Sequence, residues 1–84
     1  MRLAAQWQRI ERELREGWSE AQLTLTVPDE GQRRRALALL GPLNPGGFRN
    51  EIRFRSARRG AGPAPDHVRR LLARLDEQGI SGRL

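Results

Sequence analysis

Apolar residues recur at helical spacing near the start of the chain. Between residues 3 and 16 they lie four, three and four positions apart, and they are Leu3, Trp7, Ile10 and Leu14. This spacing puts them on one side of a helix, and Arg–Glu pairs four residues apart cover the remaining surface. Gly17 predicts the end of the helix. Two interpretations are open for the apolar stripe: it packs within its own chain, or it forms a dimer or partner interface.

Apolar and polar residues alternate in two later segments, and this alternation predicts β-strands. The first segment is Gln22–Val27, where leucine and valine alternate with threonine. The second runs from Phe48 to Gly60, and its apolar side is formed by Phe48, Ile52 and Phe54. Because neighbouring side chains of a strand point to opposite faces, we expect these three residues to enter the core and the intervening arginines to face away.

Two further helices are predicted from their start and stop signals. Asp29 followed by Gln32 resembles a capping box, and a Gly-Pro pair ends that helix after Leu40. The last helix starts at Pro65, which suits the first helical position. At its end, Gly79 and the apolar residue after it predict a Schellman motif.

The order of the elements predicts the fold class. The turn sequence Asn44–Gly47 would join a very short strand at Pro42–Asn44 to the arginine-bearing strand, and Ile80–Leu84 would form a last strand. The order is then a helix followed by β-α-(β)-β-α-β, which is similar to the ferredoxin-like split β-α-β arrangement. We therefore expect one α+β domain: an N-terminal helix in residues 1–17 and a small two-layer α/β sandwich in residues 18–84, with three to four short strands. A simpler alternative has three strands with helices on one face.

Positive charge is concentrated in the second alternating segment. The chain carries a net charge of +6, and all of its 16 basic residues are arginine. Residues 48–60 hold five arginines and one glutamate, so this segment accounts for +4 of the total. An all-arginine basic set is also what a GC-rich coding sequence produces, so the local clustering is more informative than the total.

The arginine face predicts a binding surface for phosphate groups, because guanidinium groups bind phosphate oxygens in a bidentate manner. Thr24 and Thr26 would lie at its margin. The residues predicted to bind a nucleic acid or another polyanion are Arg49, Arg53, Arg55, Arg58, Arg59 and Arg83. With both phenylalanines in the core, this face would lack the aromatic side chains on which single-stranded ligands stack, and this weakens the prediction.

Other functional classes find little support in the sequence. There is no Cys and a single His, which excludes disulfides and leaves no set of metal ligands. His67 is interpreted as a surface residue, and no serine or carboxylate has a partner in a recognisable catalytic motif. No segment has the length of a membrane span or the pattern of a signal peptide, so a cytoplasmic location is expected. We expect no enzyme, cofactor, metal or membrane partner.

The sequence thus predicts a small basic binding protein that forms a homodimer, with nucleic acid or another polyanion, such as an acidic protein surface, as its ligand. The alternative is a homodimeric protein-interaction or structural module with no nucleic-acid role. In that alternative the contacts are made by the N-terminal helix, through Leu3, Trp7, Ile10 and Leu14, or by the edge of the sheet. The arginines are then solvated or paired with acidic residues of a second subunit.

Overall fold

Three α-helices and a two-stranded antiparallel sheet form the described part of the chain. A computed structural model describes residues 1–17, 19–58 and 62–84. In chain order the elements are α1 Leu3–Glu16, β1 Glu20–Thr26, α2 Glu30–Leu40, a 3₁₀ helix Gly41–Leu43, β2 Glu51–Ala57 and α3 Pro65–Glu77. The α+β class predicted from the sequence is confirmed.

The sheet is smaller than the sequence predicted. β1 and β2 pair over their full length, from Glu20 opposite Ala57 to Thr26 opposite Glu51. Outside these strands, the described residues contribute only two isolated bridges, Gly46 with Arg53 and Thr26 with Arg83. Three to four strands in the ferredoxin-like order are therefore not confirmed.

Neither of the two additional strands predicted from the sequence, Pro42–Asn44 and Ile80–Leu84, is formed as a strand. The predicted strand at Pro42–Asn44 is replaced by the 3₁₀ helix and by Asn44 in the left-handed conformation (φ 53°), because Pro42 is accepted in the first turn of such a helix. At the other end, only Arg83 of the predicted strand Ile80–Leu84 pairs with β1, exchanging two backbone hydrogen bonds of 2.9 Å with Thr26.

The helix boundaries follow the predicted signals. Asp29 accepts a hydrogen bond of 2.8 Å from the backbone N–H of Gln32, which caps α2. α3 begins at Pro65 and ends in the predicted Schellman motif, in which the N–H of Ile80 donates to the carbonyl of Leu75. Gly79 takes the left-handed conformation that this motif needs, with φ of 74°.

The helices bury one face of the sheet. Leu23, Leu25, Ile52 and Phe54 alternate along the strands and are buried, while the residues between them are exposed or half-buried. The Trp7 ring of α1 lies 6.3 Å from the Phe54 ring of β2, so the first helix packs onto the sheet. The opposite face of the sheet has no covering element among the described residues.

The start of α1 is capped from another helix. The backbone N–H groups of Leu3 and Ala4 donate to the two carboxylate oxygens of Asp76, at 2.8 and 3.0 Å. These groups have no partner inside α1, because the first N–H groups of a helix never do. Asp76 lies in the last turn of α3, so these two hydrogen bonds join the start of α1 to the end of α3. They involve no residue of the sheet.

The position of Phe48 differs from the sequence-based prediction. It was expected in the core, but 62% of its surface is exposed. The reason is that β2 begins at Glu51, so Phe48 precedes the strand and is outside the alternation that governs Ile52 and Phe54. The expectation that both phenylalanines point inward is therefore wrong for Phe48.

Candidate nucleic-acid interface

The uncovered face of the sheet carries Arg53 and Arg55. Strand pairing places Arg53 opposite Thr24 and Arg55 opposite Gln22, and all four of these residues are exposed. Directly opposed residues of an antiparallel pair point to the same face. Two guanidinium groups therefore stand beside a hydroxyl and an amide on a sheet whose other face is fixed by the core.

The two arginines have different partners. Arg55 donates to Glu20 at 2.9 Å, and both side chains of this pair are 59% exposed. An exposed ion pair contributes only about 0 to 1 kcal/mol, so a competing anion can displace Glu20. Arg53 makes no side-chain hydrogen bond or ion pair with any residue in the described part of the chain. Its positive charge remains available to a ligand.

A tight turn precedes β2 and is fixed by hydrogen bonds on both sides. The N–H of Glu51 donates to the carbonyl of Phe48 at 3.1 Å, which closes the turn. The Arg33 side chain of α2 donates to the carbonyls of Glu51 and Gly47, at 3.1 and 2.8 Å. On the other side, the Asn50 amide donates to the carbonyl of Val27 at 2.9 Å.

Gly47 is required at the entrance of this turn. Its φ is +95°, and a Cβ atom added to it would lie 2.7 Å from the carbonyl oxygen of Glu51. Both the backbone conformation and the close approach exclude a side chain there. Position 47 is therefore restricted to glycine.

The turn presents an aromatic ring and a guanidinium group together. Phe48 is exposed, and the central guanidinium carbon of Arg49 lies 5.8 Å from the centre of its ring. This distance is within the range of cation–π contacts. Arg49 also has a φ of 61°, which non-glycine residues adopt rarely and at a cost of about 1 to 2 kcal/mol. The predicted binding residue Arg49 therefore lies on the turn and not on β2.

The other predicted arginines are spread along the sheet. Arg83 pairs with Thr26 and so extends the arginine face beyond β1. Arg58 follows β2, and its guanidinium group donates to the carbonyl of Arg15 at 3.2 Å, so it is partly engaged within the chain. Arg59 lies outside the described residues. The structure thus brings Arg53 and Arg55 together, with Arg83 and the turn that carries Arg49 both at the Thr26–Glu51 end of the sheet.

The predicted interface stripe lies mainly in the core. Leu3, Trp7 and Leu14 have no exposed surface, and the indole N–H of Trp7 donates to the carbonyl of Pro65 at 3.0 Å. This is the first of the two interpretations left open by the spacing, packing within the chain. Ile10 is half-buried and lines a small cleft of about 340 Å³ with Leu84. These burials leave little of the stripe available to a partner.

A larger and more open cleft, of about 690 Å³, lies beside the arginine face. Its walls come from β2, from the 42–47 segment and from residues 62–67. Besides Arg53 and Arg55, its polar lining includes Gln22, Asn44 and His67. No sequence pattern indicates this cleft, because its walls are segments that reach β2 through contacts between separate parts of the chain, the bridge of Gly46 with Arg53 and the hydrogen bond from Ala57 to Pro63.

The described residues contain neither a metal-binding cluster nor a helix that could span a membrane. No group of three or more His, Cys, Asp or Glu residues lies close enough to hold a metal ion within residues 1–17, 19–58 and 62–84. No helix in that same part of the chain has both the length and the apolar character required to cross a membrane.

Comparison of the chain with protein-family models, with curated proteins and with solved structures found no match. A functional hypothesis therefore depends on the geometry of the arginine face, the Phe48 turn and the cleft.

Proposed function

We propose that this protein binds nucleic acid through the uncovered sheet face, with Arg53 and Arg55 at its centre. Arg49 and Arg83 extend this surface at its Thr26–Glu51 end, and Arg58 contributes at the opposite end of β2. A phosphate backbone is the ligand class whose charge and oxygen geometry suit a row of guanidinium groups. The proposed activity is binding without catalysis.

The observation that carries the proposal is the exposed Phe48 beside Arg49. With both phenylalanines in the core, the arginine face would hold phosphates but offer no ring for a base. An exposed ring changes this, because stacking of one base on an aromatic side chain contributes about 1 to 3 kcal/mol. The hydrogen bonds of the turn hold this ring and its guanidinium neighbour at the Glu51 end of β2, and we propose that they contact the same ligand as Arg53 and Arg55.

The two isolated bridges support a wider platform. Arg83 pairs on the outer side of β1 and Gly46 on the outer side of β2. We propose that these are the remnants of the outer strands of a ferredoxin-like sheet, in which the first and third strands are central. In this arrangement the arginine face extends over four chain segments.

Charge reversal at the centre of the face tests the proposal. Arg53→Glu with Arg55→Glu is expected to abolish the binding of a labelled oligonucleotide at 50 mM salt, because two phosphate contacts become repulsive. The matched control is Arg9→Glu with Arg12→Glu, which changes the net charge equally on the exposed side of α1. Fluorescence anisotropy measures the affinity, and circular dichroism checks the fold.

The salt dependence gives a second readout. If Arg49, Arg53, Arg55 and Arg83 each engage one phosphate, the logarithm of the binding constant falls with the logarithm of salt concentration with a slope of about −3 to −4. The proposal fails if the unchanged protein binds neither DNA nor RNA at 50 mM salt, or if both double variants lose binding equally. In the homodimeric alternative, the wild type forms a dimer, and Ile10→Ala, at the half-buried position of the stripe, changes its mass in solution.

A further inference from the structure

The cleft beside β2 has features that the open sheet face lacks. It is a partly enclosed space of about 690 Å³, and part of its lining is apolar, from Leu43 and Pro63. Small-ligand sites typically have volumes of about 300 to 1,000 Å³, and this cleft lies in that range with a lining that is about half polar. Arg53 and Arg55 line the same cleft, so it is continuous with the proposed phosphate-binding surface.

The backbone of Arg55 supplies a donor and an acceptor at this edge. Arg53 exchanges hydrogen bonds of 3.0 and 2.8 Å with Gly46, and the N–H of Ala57 donates to Pro63 at 3.0 Å, both on the side away from β1. Backbone groups two residues apart in a strand point the same way, so the N–H and C=O of Arg55 also point away from β1. No backbone group within residues 1–17, 19–58 or 62–84 bonds to them there.

This opening is too short for an added β-strand. A peptide that extends a sheet needs a row of unpaired backbone groups. Here the edge is closed two residues before Arg55 by Gly46 and two residues after it by Pro63. One donor and one acceptor remain, and neighbouring donors and acceptors of this kind are what the edge of a nucleobase presents.

We infer that the cleft receives one unpaired nucleotide. The base contacts Leu43 and Pro63 and hydrogen-bonds to the backbone of Arg55, while its phosphate binds the guanidinium group of Arg53. This inference rests on the proposed nucleic-acid binding and narrows it to single strands, because a base held in a duplex does not enter a side pocket without leaving the stack. Phe48 stacks a second base of the same strand.

Gly46→Leu tests this inference without a change of charge. A Cβ atom at Gly46 would meet no atom within 4 Å, and the φ of this residue is not in the left-handed range. Its backbone bonds to Arg53 persist in the variant, so the fold tolerates a side chain while the cleft is filled. Ala38→Leu is the control, because it places the same leucine side chain at an exposed position of α2.

The probes are a labelled single strand of about 12 nucleotides, its duplex and an acidic peptide of equal charge, since single-strand sites span about 4 to 16 nucleotides. We expect wild type to bind the single strand at least about fivefold more tightly than the duplex. Gly46→Leu should remove this preference by lowering the single-strand affinity more than the duplex affinity, and Ala38→Leu should retain it.

Each other outcome has a distinct meaning. If wild type binds single strand and duplex equally and Gly46→Leu changes neither, the cleft inference is overturned and the proposed function stands. If neither nucleic acid binds, the proposed function itself fails. Binding of the acidic peptide alone, lost in Gly46→Leu, would assign the cleft to a protein partner and also overturn the inference.

Asn44→Gly keeps the test valid if Gly46→Leu does not fold. Asn44 lines the cleft with a φ of 53°, and glycine adopts this conformation without strain. Loss of the amide should lower the single-strand affinity about threefold to tenfold and leave duplex affinity unchanged. An equal loss for both ligands, with the fold intact, would contradict a nucleotide in the cleft.

Discussion

The helical layer and the uncovered sheet face both carry arginines, but their charge is balanced in different ways. In the helical layer Glu11 is 3% exposed, and its carboxylate accepts hydrogen bonds of 2.7 Å from Arg15 and from Arg69. On the sheet face, Arg53 has no carboxylate partner among the described residues, and Arg55 has one that is well exposed. The difference shows that the role of an arginine depends on its partners: one paired with a buried carboxylate stabilises the fold, and one without such a partner is available to a ligand. Composition alone does not distinguish the two.

The largest expected effect concerns the helical layer. Removal of both arginine side chains, with Arg15→Ala and Arg69→Ala, leaves the carboxylate of Glu11 buried without a cation. An unpaired buried charge costs about 3 to 5 kcal/mol, so the free energy of unfolding should fall by about 3 kcal/mol. Urea unfolding followed by circular dichroism measures it.

Glu11→Gln is the control for this prediction. It leaves two arginines whose side chains are 68% and 40% exposed, and water solvates them once the carboxylate is gone. The expected loss is only about 1 kcal/mol. A loss in Glu11→Gln as large as in the double variant would show that the arginines, and not the buried carboxylate, carry the cost.

A substitution in the turn before β2 should change nucleic-acid affinity with little effect on the stability of the fold. Arg49 has a φ of 61°, and Arg49→Gly relieves this conformation while it adds freedom to the unfolded chain. These two effects oppose each other, so the free energy of unfolding should change by less than about 1 kcal/mol. Nucleic-acid affinity should fall, and the salt slope should decrease in magnitude by about 1 as one phosphate contact is lost.

Arg34→Ala is the comparison for the turn variant. Arg34 lies on the exposed side of α2, outside the arginine face, and its loss removes the same charge. Its salt slope should stay at the wild-type value. If Arg34→Ala and Arg49→Gly reduce the slope equally, binding depends on the total charge of the chain and not on the position of the turn.

Local signals in the sequence predicted the elements whose ends are fixed by nearby residues. Asp29, Pro65 and Gly79 act within one helical turn, so their helix boundaries were confirmed. The alternation also predicted the buried and exposed faces of β2 from Ile52 to Arg55.

The remainder depends on contacts between distant residues. Phe48 lies outside the core because its turn is held by hydrogen bonds from two side chains. Arg33 donates to Gly47 and Glu51, and Asn50 donates to Val27. The spacing of apolar residues along the sequence does not predict these bonds. The Asn-Pro-Gly-Gly sequence before Phe48 was the available signal, since a turn that continues to Asn50 delays the start of the strand. The cleft forms where the 42–47 and 62–67 segments meet beside β2, and their separation along the chain hides this proximity.

The smallest expected effect tests the ion pair on the sheet face. Glu20→Gln removes the partner of Arg55, and because both side chains are 59% exposed the free energy of unfolding should change by less than about 0.5 kcal/mol. The affinity for nucleic acid should rise about twofold to threefold, because Arg55 is released and a negative charge leaves the binding face. Glu30→Gln, at an exposed position of α2, removes the same charge away from that face and should raise the affinity less. Equal gains in both variants would mean that Glu20 acts only through the net charge, whereas a loss of affinity in Glu20→Gln would mean that the pair holds Arg55 in its binding position.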